Sequence, residues 1–343
     1  METIKTLQVP THSISFLQWK VDLQSSVEAR QPLFLINDTP ENAFYARAEL
    51  VLMGKNLNTR ALIALKTILI NEAVSQVVLS NLGEVEGVNF IRLTLNTLPS
   101  VVNDAVSAFA LEHECDVALV EQLPNFAVPG LVLMDMDSTT IQIECIDEIA
   151  RLYGVGDQVS AVTAAAMRGE LDFNESLRTR VGKLAGAPES VIKEVADNMP
   201  LMPGLVALIA GLKAANWKVA IASGGFTYFA NRLKADHGFD AAYANTLEIV
   251  DETLTGQVTG EIVNADVKAR TLKELAATFE IPMNQTVAIG DGANDLVMMA
   301  ASAMGIAIHA KPIVQEKAAV ALNHLDLEGA LCLLIASLPL QAK

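Results

Sequence analysis

Between about position 125 and position 310 the chain alternates short apolar runs with longer stretches whose apolar residues recur every three or four positions. Leu131-Val132-Leu133-Met134 is the clearest run, and Lys218 to Ala222, Val287-Ala288-Ile289 and Gly305 to Ile308 repeat the pattern. Runs without a polar face read as strands buried on both sides. Leu205 to Asn216, Phe226 to His237 and Lys268 to Phe279 have the helical period, and shorter strands are expected around Ala242, Leu247 and Val258. Strand and helix in alternation predict an α/β fold, a doubly wound parallel (Rossmann-like) sheet with right-handed crossovers. The mostly helical stretch from Cys145 to Met199 interrupts that alternation and predicts a helical cap, 145–199, over the strand ends.

The first third has a different rhythm. Tyr45 to Met53 reads as a strand, Thr59 to Ala73 as an amphipathic helix, and Val74 to Ser80 and Val88 to Leu95 as two strands joined through Gly83 and Gly87. Ser100 to Glu114, capped by Ser100, reads as a helix and Asp116 to Val120 as a strand, with a further short strand at Pro32 to Ile36. The order βαββαβ predicts an α+β ferredoxin-like sandwich of the ACT type. Gln122 to Gly130, with Pro124 and Pro129, serves as a linker, so the expected domains are 1–122 and 123–343.

Composition narrows the partners. With 343 residues, about half of them hydrophobic, two domains are the natural reading. A formal charge of −16 argues against nucleic acid or an anionic membrane as the main partner. It also sets a problem for any phosphate site, which must overcome that field locally with Lys, Arg or a metal. Cys115, Cys145 and Cys332 lack metal-like spacing, and three is an odd number, so a reducing, cytoplasmic setting is expected. No signal peptide is evident over Met1 to Trp19, and the most apolar segment, Ala330 to Leu340, is too short to span a bilayer. A homodimer is compatible with the sequence, which does not decide the question.

Two of the apolar runs end in paired carboxylates. Asp135-Met136-Asp137-Ser138-Thr139 follows the first, and Gly290-Asp291-Gly292-Ala293-Asn294-Asp295 follows the Val287 strand on a glycine-rich turn. Open α/β sheets hold their ligands beyond such strand ends. Residues i and i+2 of an extended segment point to one side, roughly 6.5–7 Å apart. Acids that close need a cation, a shared proton or both. Ser223-Gly224-Gly225 also closes a predicted strand and opens a helix, where a hydroxyl and amides converge on an anion, although such a tripeptide is equally a loop.

Asp-x-Asp-Ser-Thr, Ser223-Gly224-Gly225, Lys268 and Gly-Asp-Gly-Ala-Asn-Asp, in this order, resemble the haloacid dehalogenase superfamily, and within it the phosphoserine-hydrolysing branch. The resemblance covers about residues 125–335 and leaves out the first hundred. It implies a phosphatase that converts O-phosphoserine to serine and phosphate, the last step of serine biosynthesis, with Mg2+ as cofactor and a small molecule as its partner. Asp135 is then the nucleophile that becomes an aspartyl phosphate, and Asp137 the general acid and base. Asp135, Asp137 and Asp291 are the expected metal set, Asp137 through its backbone carbonyl, with Asp295 contacting the ion or orienting its waters. Ser223, Gly224, Lys268 and Asn294 are expected at the phosphate and substrate, with Ser138 and Thr139 as donors or as plain turn residues. Glu144 aligns with the residue that pairs with the substrate ammonium, and Arg180 with the one that grips its carboxylate, where a planar guanidinium suits two oxygens at once. Met167 and Phe173 would form an apolar lid.

Structure-neutral roles remain open for several of these: Glu144 as a helix cap, Arg178 and Arg180 as surface charges, Lys268 as a solvated helix residue. Met136 stands where the family often has phenylalanine, a packing change, and the absence of lysine there argues against the ion-pumping ATPases of the superfamily. Two rival readings keep the same scaffold. One is a phosphotransferase, or a phosphatase for another small phosphoester such as phosphohomoserine. The other is an amino-acid-sensing regulatory protein acting through the N-terminal domain.

Overall fold

Asp116 explains the chain's division better than any linker does. Its buried carboxylate accepts N–H bonds from Asn323 at 2.9 Å, His324 at 3.2 Å and Leu325 at 2.9 Å, tying the chain's end to its first third. In this computed structural model, which describes residues 33–36, 46–71, 74, 77–97, 103–168 and 170–339, those up to Val128 and those from Ala319 onward pack as one unit. Pro129–Ala318 form the other. The sequence reading set its boundary at 122/123 and kept the C-terminal residues with the second domain; here residues from Ala319 pack with the first unit.

The first unit contains β1 (Leu33–Ile36), β2 (Ala48–Gly54), α1 (Thr59–Asn71), β3 (Val77–Val85), β4 (Val88–Leu95), α2 (Asn103–Glu112) and β5 (Asp116–Val120). Its antiparallel sheet has the order β1-β3-β4-β2-β5, so from β2 onward the expected βαββαβ sandwich is present. Leu50, Leu52, Ile91 and Leu93 project from one face onto Leu62, Leu65 and Leu69 of α1, as the alternation of a half-buried strand requires. Gly83 lies inside β3 rather than in the hairpin turn. The turn is Glu86-Gly87, with φ of 50° and 76°, the left-handed pair that a two-residue hairpin needs. Tyr45, Ser75, Gln76 and Ser100, included in the expected elements, lie outside the described residues.

The second unit begins with β6 (Leu131–Met134) and continues through four helices, α3 (Cys145–Tyr153), α4 (Gly156–Met167), α5 (Phe173–Gly182) and α6 (Glu189–Asp197). These are the cap. Then follow α7 (Leu205–Ala214), β7 (Lys218–Phe226), α8 (Thr227–His237), β8 (Ala241–Val250), β9 (Thr253–Thr259), α9 (Ala265–Thr278), β10 (Thr286–Gly290), α10 (Leu296–Ala301), β11 (Met304–Ile308) and α11 (Pro312–Gln315). Within this unit the strands run β11-β10-β6-β7-β8-β9, and all neighbours are parallel except β8 and β9. The strand order reverses between β6 and β10, which makes their C-terminal ends the switch point where open α/β sheets bind ligands. Leu131, Leu133, Ala220 and Ala288 fill one face against Leu272 and Leu275 of α9 and Met298 of α10.

The cap is stitched at two places. Gln142 N–H donates to Pro200 O at 2.9 Å and Met202 N–H to Thr140 O at 2.9 Å, so the strands entering and leaving it run together. Gly186 and Leu254 are joined through N–H to O at 2.8 Å, and Glu189 to Glu252 likewise at 2.8 Å, so the end of the cap adds to the β8–β9 hairpin.

After this unit come β12 (Val320–Leu322) and α12 (Leu327–Ala336). The latter is buried over nearly its whole length. Arg92, paired with Glu49 at 2.8 Å, donates to Ser337 O at 2.8 Å beyond the last turn of α12, where a cation meets the negative end of the helix. No helix among the described residues is long and apolar enough to cross a membrane.

Candidate active site

β6 pairs with β10 as far as Met134 opposite Ile289, and Asp135 N–H still donates to Ile289 O at 2.9 Å. The carboxylate therefore leaves the sheet at the switch point. Beyond it the amides of Thr139, Thr140 and Ile141 converge on Met136 O at 3.3, 2.8 and 3.0 Å, folding the segment into a tight turn. Ser138 takes a left-handed φ of 55° in that turn.

Three carboxylates from the two strand ends meet there: one oxygen each of Asp135, Asp291 and Asp295 lie within 4.8 Å of one another. Lys268, reaching from α9, is fully buried, with Nζ 2.7 Å from Asp135 Oδ2 and 2.7 Å from Asp295 Oδ1. Burial opposes its charge, but the two carboxylates more than offset that, and its pKa is raised. Thr139 Oγ1 donates to Asp291 Oδ1 at 2.9 Å, and Gly292 N–H to Asp295 Oδ2 at 3.0 Å. Even so, burial, then the charges of Asp135 and Asp295, push Asp291 up to about 7. One lysine does not neutralise three acids. A close, all-oxygen donor set with an unbalanced negative charge suits a hard divalent cation, so these residues fit the metal that the family implies. Asp295 stands within this cluster, whereas the Asp137 carboxylate is not part of it.

Asp137 is held differently. Its Oδ1 is closed off from solvent without a hydrogen-bond partner. Burial, then the charge of Glu144, raises its pKa well above the usual carboxylate range, against a hydrogen bond from the Cys145 thiol; Asp135 raises it further. Glu144 sits at the N-cap of α3, but its side chain makes no capping bond. Instead it accepts the Ser138 hydroxyl at 2.8 Å.

Eight of the expected site residues line one cleft of about 190 Å³: Asp135, Asp137, Glu144, Arg180, Ser223, Gly224, Asp291 and Asn294. Lys268 lies beneath it, behind Asp135. Arg180 extends from α5, and its Nε is buried with no partner. Ser223 and Gly224 belong to β7, which runs on to Phe226 instead of ending at Ala222; Ser223 Oγ accepts Gly225 N–H at 3.0 Å. A Cβ on Gly224 would meet Phe173 Cζ at 2.8 Å, so a larger residue here would push the Phe173 ring aside. Met136 packs against Gly225 with its side chain buried, the apolar contact expected of it. The side chain of Met167 lies outside the described residues.

Ile146, Leu177 and Phe226 complete the apolar wall and went unremarked in the sequence. For Leu177 a signal existed, because Phe173, Leu177 and Arg180 are spaced i, i+4, i+7 on one helical face.

Comparison with known proteins follows this geometry. Residues 129–303 match the haloacid dehalogenase-like hydrolase family. A phosphoserine phosphatase of Vibrio cholerae serotype O1 is 55% identical over 230 residues, 67% of this chain and 70% of that protein. The unliganded crystal structure of a probable phosphoserine phosphatase from Vibrio cholerae superposes with a TM-score of 0.73 at 44% identity, covering 84% of this chain and 87% of that one. A phospho-aspartyl intermediate analogue of a phosphoserine phosphatase matches with a TM-score of 0.57 at 39% identity, over 60% of this chain and 98% of that one.

Proposed function

The chain belongs to the haloacid dehalogenase-like hydrolases, and from that membership we propose that it hydrolyses O-phosphoserine to serine and phosphate through a phosphoryl group carried by Asp135. The observation that carries the substrate is the pair Glu144 and Arg180 in one cleft with Asp135. A carboxylate and a guanidinium with a buried, unused N–H complement the ammonium and carboxylate of an amino acid whose side chain carries the phosphate. Leaving such a donor unpaired costs roughly 1–3 kcal/mol, which a bound carboxylate would recover.

Phosphoryl transfer is mostly positioning and charge stabilisation. A carboxylate oxygen of Asp135 attacks phosphorus; the phosphorus–oxygen bond to serine breaks, and its oxygen takes the proton from Asp137. Burial and the charge of Glu144 raise the pKa of Asp137, which favours its holding that proton before transfer. Water then attacks the same phosphorus, Asp137 takes up its proton, and Asp135 is regenerated. Lys268 holds Asp135 in position and stays charged, while Ser223 and the Gly224 backbone face the phosphate. Haloacid dehalogenase-like phosphatases need a divalent metal, and the close set of Asp135, Asp291 and Asp295, with the backbone carbonyl of Asp137, is where it would be held here. Mg2+ suits a set of few carboxylates; when bound, it would neutralise the repulsion between Asp135 and the phosphate oxygens. The reading includes a cytoplasmic setting, supported by three free, buried cysteines.

The rival readings, another phosphoester or a purely regulatory protein, are not favoured by relatives that are phosphoserine phosphatases at this identity. Rapid quenching with phosphoserine tests the proposal: the phosphoryl group is expected on Asp135, and Asp135→Asn is expected to abolish both label and turnover. Label on another side chain, or turnover that survives the substitution, would refute it.

A further inference from the structure

The Ser138 hydroxyl is turned towards Glu144. It occupies the left-handed region at φ 55°, a conformation in which a serine is strained and a glycine is not. Its N–H donates to Ile143 O at 3.3 Å, closing the loop that begins at Asp137 and ends at Glu144. The hydroxyl so placed donates to Glu144 Oε1 at 2.8 Å. Glu144 is thereby drawn away from capping α3, although it stands at the N-cap position, and into the cleft. Its Oε2 makes no hydrogen bond among the described residues. Serine at a strained position, where glycine would serve the backbone better, implies that the hydroxyl is what matters.

We propose that Ser138 is a positioning residue for substrate selection: its hydroxyl fixes the Glu144 carboxylate with one oxygen occupied and the other presented to the substrate's ammonium group. This rests on the reading of Glu144 as the ammonium partner. The one proton of the Ser138 hydroxyl is given to Glu144, so it is not offered to the phosphate, and the effect is expected on substrates bearing an α-amine. A hydrogen bond to a charged group is typically worth about tenfold or more in an equilibrium.

The experiment compares Ser138→Ala, Ser138→Gly and Glu144→Gln with the unaltered enzyme on phosphoserine and on 4-nitrophenyl phosphate, which has no amine. Both Ser138 variants are expected to raise KM for phosphoserine about tenfold with kcat within about twofold, and to lower selectivity for phosphoserine over the aryl phosphate about tenfold. Ser138→Gly relieves the backbone strain while removing the hydroxyl, so it remains informative where the alanine variant folds poorly. Wild-type KM in the glycine variant, or equal losses on both substrates, would overturn the inference. Selectivity lost in Glu144→Gln but kept in both Ser138 variants would overturn this inference alone; selectivity kept in Glu144→Gln would overturn the reading of Glu144 with it.

Discussion

Replacing Lys268 by methionine removes the one buried cation from a cluster of two buried carboxylates and the half-buried Asp291 while keeping the volume of the side chain's stem. At 2.7 Å to each of Asp135 and Asp295, an effective dielectric of about 20 gives roughly 6 kcal/mol of attraction per pair. Desolvation of the ions, several kcal/mol each, offsets most of it, and removing one partner of a buried pair typically leaves a net cost of about 3–5 kcal/mol. Lys268→Met should therefore destabilise the second unit by that amount at pH 7.5 in the presence of a chelator. The assay is urea unfolding followed by amide exchange over residues 129–318. The deficit should shrink when a divalent cation is added, since the ion replaces part of the lost charge. It should also shrink on acidification. Burial and the neighbouring charge of Asp135 already raise Asp295 to about 6 in the folded chain against the pull of Lys268. Without the lysine that pull is lost, so the penalty develops as pH increases and is relieved as the carboxylate takes up a proton. A deficit below about 1 kcal/mol, or one that grows towards pH 5, would refute the reasoning.

The same cluster makes cation binding depend on pH. Asp291, raised from 3.8 to about 7 in the folded chain, binds more protons folded than unfolded between those values, so metal-free stability falls as pH rises through that window. A cation that coordinates the ionised form should therefore raise the melting temperature by an increment that grows from about pH 4.5 to 7.5; calorimetric melts with and without Mg2+ would show it, and a pH-independent increment would contradict it. Thr139→Val deletes the hydroxyl that orients Asp291 at 2.9 Å and should weaken divalent-cation affinity about 10-fold or more. Titration calorimetry on the substrate-free protein measures that directly, and unchanged affinity would mean that Asp291 needs no such orientation.

Much of this site could be read from the sequence because its reactive groups follow locally defined strands. An apolar run followed by Asp135 or by Gly290-Asp291 announces both the strand and the place where it stops. Partners set by register between distant segments carry no such signal. Lys268 looks like any helix lysine until β6 and β10 are laid side by side and α9 is folded over them, which drives it to complete burial. The hydrogen bond from Thr139 to Asp291 joins residues 152 apart in the chain, and the one from Leu325 N–H to Asp116 joins residues 209 apart. For the same reason the apolar segment beginning at Ala330 carries no sign of its partners in the sequence: Arg92 and Asn81, which donate to Ser337 O and Ala336 O, lie 245 and 255 residues away from them in the chain.

A chain of net charge −16 that gathers three acids at the point where a phosphate would bind is, on charge alone, built against its own chemistry. The contradiction dissolves once the acids are seen as half of a site. Lys268 is fully committed to Asp135 and Asp295, and Arg180 stands farther along the cleft beside Glu144, so neither cancels the whole negative charge. A divalent cation is small enough to sit among carboxylate oxygens and still touch a phosphate. A surface rich in acids does not hinder that arrangement, because the decisive field is local: at a few ångströms and low dielectric, one divalent ion outweighs distant, screened surface charges.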